Sequence, residues 1–206
     1  MSAREEVLGR IRTALGEQRP SVAVPPVPAP RDLPAGELLD LLAERVEDYR
    51  ATVLRCAPAE IGATVARGLD AALGGGWDPA GVVVAPGVPA AWRPDGATED
   101  DGRPPVELAA FAATLTGVAT AVAETGTLVL DGALLSGRRA LSLLPDVLVC
   151  VVEAAQVVPD VPDALGRLDP VAPLTMVSGP SATSDIELQR VEGVHGPRTL
   201  VVVLAG

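Results

Sequence analysis

Two unbroken apolar runs constrain this chain more than anything else in it: Val147-Leu148-Val149-Cys150-Val151-Val152, and residues 199–204 near its end. Successive side chains of a strand point to opposite faces, so a strand that is apolar at every position needs cover on both faces. The first run is expected at the centre of a sheet and the second as a buried closing strand. Similar strand signals occur at residues 52–56 and 81–85, with helical patterns between them. Leu38, Leu39, Leu41, Leu42 and Val46 give one amphipathic helix. Pro58-Ala59-Glu60 opens another, which runs to Leu73 and stops at Gly74-Gly75-Gly76. Strand and helix alternating at this spacing predict an α/β fold, a mostly parallel sheet with both faces covered.

The ends read differently. Val7, Leu8, Ile11 and Leu15 fall on one face of a helix over residues 3–16. A helix this short needs a surface, whether of its own subunit, a second copy or another protein. Six prolines follow between positions 20 and 34, as in a stiff extended spacer. The expected organisation is a helix over residues 1–19, a linker over 20–35 and one α/β domain over 36–206. Residues 95–105 are polar, and Glu99, Asp100 and Asp101 read as a solvated loop. A short helix is expected over 106–113, a strand after Gly126 and another short helix over 162–168. Arg138 and Arg139 read either as orienting an acid or as a phosphate clamp.

Composition removes several functions. With 27 acids, 16 bases (all arginine) and a formal charge of −11, the chain lacks the clustered cations that nucleic acid or an anionic membrane requires. Cys56 and Cys150 both lie in strand-like runs and read as buried thiols. Two cysteines cannot supply the four ligands of an iron–sulfur cluster, and one histidine, His195, makes no metal site of usual spacing. No signal peptide and no apolar run of roughly 18 residues is visible, so the expected location is the cytoplasm. No GxGxxG follows an early strand, so no redox cofactor is expected in this chain.

Two glycine corners carry the candidate site. In the first, Glu124, Thr125, Gly126 and Thr127 follow a run of small residues. A carboxylate there is either hydrogen-bonded to nearby backbone or used on a ligand. The second lies in the last thirty residues, which read as a strand over 173–178, a Gly179-Pro180 turn, a short helix, a tight turn and the closing strand. Ser184 and Glu187 fit a capping box at that helix. A glycine turn entering a helix leaves amides for an anion, making Gly179, Pro180, Ser181, Ser184 and Asp185 ligand candidates together with His195. Glu124, Asp185 and His195 are the candidate catalytic groups. Asp185 and Glu187 are two apart and cannot act as a facing pair on a helix. The expectation is that the two corners meet at a shared crevice.

Ala123-Glu124-Thr125-Gly126-Thr127-Leu128-Val129-Leu130, followed by Leu143-Leu144-Pro145, resembles the signature of the LUD-domain family. Ser178-Gly179-Pro180-Ser181, Ser184-Asp185-Ile186-Glu187 and Gly193-Val194-His195-Gly196-Pro197 resemble the C-terminal motif of its lactate utilisation protein C branch. The likeness covers about residues 36–206. It implies a three-layer α/β/α sandwich akin to ribose-phosphate-isomerase and CoA-transferase-like folds. It also implies an accessory role in oxidising L-lactate to pyruvate beside two iron–sulfur proteins, the A and B components. Ala182 stands where family members often carry a basic residue. The other reading left open is a stand-alone enzyme on an isomerase-like scaffold, acting on a small acid or phosphorylated substrate. A homo-oligomer formed through the N-terminal arm is a further expectation.

Overall fold

A computed structural model describes residues 2–16, 33–184, 190–192 and 196–206. In chain order the elements are α1 (Ala3–Leu15), α2 (Ala35–Asp48), β1 (Thr52–Cys56), α3 (Ile61–Leu73), β2 (Val82–Val84), β3 (Thr98–Glu99) and α4 (Pro105–Leu108). Then come β4 (Ala113–Gly117), β5 (Thr120–Val122), β6 (Thr127–Leu130), β7 (Val147–Glu153), β8 (Val157–Val158) and α5 (Val161–Arg167). The last four are β9 (Thr175–Val177), β10 (Ala182–Ser184), β11 (Arg190–Glu192) and β12 (Thr199–Ala205).

Six strands form a parallel sheet in the order β1-β12-β7-β4-β2-β3. The two apolar runs are its interior strands β7 and β12, and their side chains divide between two cores. Val147, Val149 and Val151 join Val201 and Val203 on the face covered by Ile61, Val65 and Leu69 of α3. Leu148, Cys150 and Val152 join Leu200, Val202 and Leu204 on the face covered by Leu42, Ala43 and Val46 of α2. Each valine or leucine so buried contributes about 1.5–3 kcal/mol. The α2 face also carries a second sheet of order β8-β5-β6-β9, which supplies Ala121 and Leu128 to the same core. The fold is thus α/β with a mostly parallel sheet, and one covering layer is part helix and part sheet.

Three expectations are corrected. The helix expected over 106–113 is only α4, and Ala113 begins the interior strand β4, whose Thr114 and Thr116 are fully buried. The carbonyl of Leu141 accepts from the Thr114 hydroxyl at 2.8 Å, and Thr116 bonds Cys150 Sγ at 3.5 Å. Of the acidic run, Glu99 and Asp101 are exposed as expected but Asp100 is not. Glu99 lies in β3 and pairs with Arg93, while Asp100 is buried. Finally, Ser184 does not start a helix. It is the last residue of β10, which pairs antiparallel with β11 in the register Ser184↔Arg190. A capping box needs an apolar stripe at helical spacing behind it, and Ile186 and Leu188 are two apart.

The two thiols also differ. Cys150 is fully buried, and desolvation pushes its thiol up to about 12. Cys56 is only partly buried and lines a small cavity with Leu39, Arg55, Leu204 and Gly206. A thiolate-directed reagent should therefore label one cysteine of the native chain, and Cys56→Ser should remove that labelling. Labelling of both thiols before unfolding would contradict this environment for Cys150.

Candidate functional site

The two glycine corners meet. Gly126, at φ +61°, and Gly179, at φ +89°, both press against the C-terminal end of α2. A Cβ on Gly126 would lie 2.8 Å from the backbone carbon of Arg45, and one on Gly179 would lie 2.5 Å from Tyr49 Cβ. Arg45 and Tyr49 are four residues apart, so the corners sit side by side on one helix face. Between them the Thr127 hydroxyl bonds the Ser178 hydroxyl at 2.8 Å and the Thr125 hydroxyl at 2.7 Å. Antiparallel pairing of β6 with β9 creates this contact, since Leu128 lies opposite Val177.

Glu124 stands at the exposed tip of its corner, where its amide donates to Pro159 O at 3.1 Å. Gly179 and Ser181 open on another space, a cleft of about 220 Å³. Its further lining includes Arg139, Ser142, Leu143, Ser178, Gly196 and Pro197. The amide of Ser181 donates to Pro197 O at 2.8 Å, which closes the turn over the cleft. Glu124, Thr125, Gly126 and Thr127 are not among the lining residues, so the corners share a hydroxyl contact rather than a wall. Asp185 and His195 lie outside the described residues, as does Glu187.

The opposite wall is held from below. Arg138 grips the buried Asp100 carboxylate with two bonds of 2.7 and 2.8 Å and donates to Arg103 O at 2.6 Å. Hydrogen bonding from Arg138 holds the Asp100 carboxyl below its ordinary value despite burial. Thr114 fixes the chain again at Leu141. Arg139, between these anchors, is exposed, and its guanidinium makes no ion pair with the described residues. Of the adjacent arginines, one orients an acid and the other faces the cleft. Arg139 was read from the sequence only as half of a phosphate clamp, and Ser178 only as part of a motif; Asp100 and Ser142 were not singled out as site groups, and no local pattern marks them.

Residues 134–138 also occupy the place where open parallel sheets usually bind ligands. The strand order reverses between β2 and β4. There Gly87 and Gly117 donate to the carbonyls of Leu134 and Leu135 at 2.8 and 3.0 Å. The chain itself fills that crevice.

The open cleft of this α/β domain presents one arginine among hydroxyls. The chain belongs to the LUD-domain family, whose model matches residues 92–205. It is 41% identical to lactate utilization protein C of Deinococcus radiodurans, over 99% of this chain and 96% of that one. Lactate utilization protein C of Bacillus licheniformis is 33% identical over 52% of this chain and 46% of its own length. A crystal structure of a DUF162 family protein from Deinococcus radiodurans superposes with a TM-score of 0.70 at 34% identity, covering 85% of this chain and all of that one. Both of these curated relatives are named for lactate utilisation. Among the described residues no helix is long and apolar enough to cross a membrane.

Proposed function

We propose that this protein is an accessory, non-redox component of a cytoplasmic L-lactate oxidation system, and that its cleft binds a small carboxylate. The observation that carries the ligand assignment is Arg139, a guanidinium without an ionic partner among the described residues, facing Ser142, Ser178 and Ser181. Arginine donors pair in parallel with the two oxygens of a carboxylate, and nearby hydroxyls suit a second polar substituent. At about 220 Å³ the space is below the usual range for drug-sized ligands and matches an acid of a few carbons. Oxidation of such an acid needs an electron acceptor, which we assign to the A and B iron–sulfur components. Glu124, on the exposed corner beside the cleft, is assigned to the same function.

Deleting the gene in its host should abolish growth on L-lactate, and the wild-type chain should restore it and co-purify with both iron–sulfur proteins. Arg139→Ala and Glu124→Ala should fold and fail to restore growth. If the isolated chain turned over a small acid or a sugar phosphate, the accessory role would be wrong. Should Glu124→Ala unfold instead, that residue serves the corner's structure.

A further inference from the structure

Thr127 does not line the ligand cleft, and yet its hydroxyl is tied to it. The residue is 9% exposed. Its hydroxyl stands 2.7 Å from the Thr125 hydroxyl and 2.8 Å from that of Ser178, an exposed residue on the cleft wall. Three hydroxyls in a row hold three protons, and the two bonds between them use two. The place of the third proton decides what the cleft offers a ligand.

The oxygen positions permit either direction. Thr125 O, at 3.5 Å, is a poor alternative acceptor for the Thr127 proton. If Ser178 donates to Thr127, only its lone pairs face the cleft. If Thr125 donates to Thr127 and Thr127 to Ser178, the Ser178 proton is free to turn into the cleft. An anion held beside Arg139 is repelled by the first arrangement and favours the second. Each bond accepted along such a chain strengthens the next one given. Ser142 cannot take this part, because it donates its proton to Arg139 O at 3.0 Å and presents lone pairs instead.

We infer that Thr127 is a positioning residue of the cleft, whose hydroxyl accepts from Thr125 and donates to Ser178, leaving the Ser178 hydroxyl to donate to the bound carboxylate. The relay rests on the carboxylate reading of the cleft. It links the Glu124 corner to the ligand without a shared wall.

Calorimetric titration of the full chain with L-lactate and with pyruvate tests it in a double-mutant cycle. Ser178→Ala should weaken binding of the better-bound acid about tenfold, and Thr127→Val, which loses only the hydroxyl, about threefold or more. Thr127→Ser restores a hydroxyl and should bind within about twofold of the wild type. In the Ser178→Ala background Thr127→Val should cost nothing further, since its effect passes through Ser178. Thr127→Ala makes the same comparison with a smaller side chain if the valine variant does not fold. A Thr127→Val chain that binds like the wild type overturns the inference. So does an equal loss in the Ser178→Ala background, which marks a structural effect on the corner. Arg139→Ala is measured alongside. If it loses binding while the Thr127 and Ser178 variants do not, only the relay fails. If it binds as the wild type does, or the wild type binds neither acid, the carboxylate reading fails and the relay with it.

Discussion

Replacing Asp100 by alanine is expected to lower the stability of the domain by about 3 kcal/mol. For a chain of this size that is a fall in melting temperature of roughly 6–12 °C. The Asp100 side chain is 4% exposed and accepts both bonds from Arg138, whose own side chain is 35% exposed. Removing the carboxylate leaves the guanidinium with Arg103 O, and water reaches it only in part. Asp100→Asn keeps the shape and one acceptor and should lose less. The effect depends on pH in a defined direction. The folded-state pKa is depressed, chiefly by the Arg138 hydrogen bonds, so the pair's contribution is complete above the ordinary carboxylate range. It is lost as the pH falls through the depressed folded value. Asp100→Ala should therefore approach the wild type in stability under acid conditions, which urea unfolding at several pH values would measure. A constant difference down to strongly acid pH would mean that the pair contributes packing and not charge.

Gly126→Ala is expected to cost roughly 2–5 kcal/mol, combining two penalties of different origin. Alanine is strained at φ +61°, and its methyl would stand 2.8–2.9 Å from the carbonyl carbon and oxygen of Arg45. Those atoms are helix backbone and cannot turn aside as a side chain tip would. Either α2 or the corner must shift, and the Thr127–Ser178 contact carries a corner shift to the turn at Gly179. Gly75→Ala is the matched control, because a Cβ there meets nothing within 4 Å. It should change stability by no more than about 0.5 kcal/mol. Equal denaturation midpoints for the two variants would show that the corner does not rest on α2 as described.

What could be read from the sequence was what depends on local pattern. Strands β7 and β12 announce themselves because both faces of an interior parallel strand are apolar, and α3 is bounded by a proline-led start and a glycine stop. Strand β4 is equally interior but carries Thr114 and Thr116, whose partners are 27 and 34 residues away. Burial of a hydroxyl satisfied at that distance leaves no periodic trace. Asp100 was misread for the same reason, since Arg138 lies 38 residues along the chain. At Ser184 the failure ran the other way, and a four-residue helix-start pattern lost to antiparallel pairing with β11. The two glycine corners were expected to share a crevice, and they share only the Thr127–Ser178 hydroxyl contact. That the cleft belongs to Arg139 and the Gly179 turn, with Glu124 on a neighbouring corner, depends on the long segment between β6 and β7 lying across the sheet.

The most direct test of the cleft is calorimetric titration of the full wild-type chain with L-lactate and with pyruvate, repeated on Arg139→Ala. Arg139 lies on the surface and makes no ion pair with the described residues, so the variant should keep its melting temperature. The wild type should bind at least one of the two acids in a one-to-one complex, and Arg139→Ala should weaken that binding about tenfold or more, the share of a charge-assisted bidentate contact. Binding of equal strength to both proteins would place the carboxylate elsewhere and contradict the assignment of this cleft.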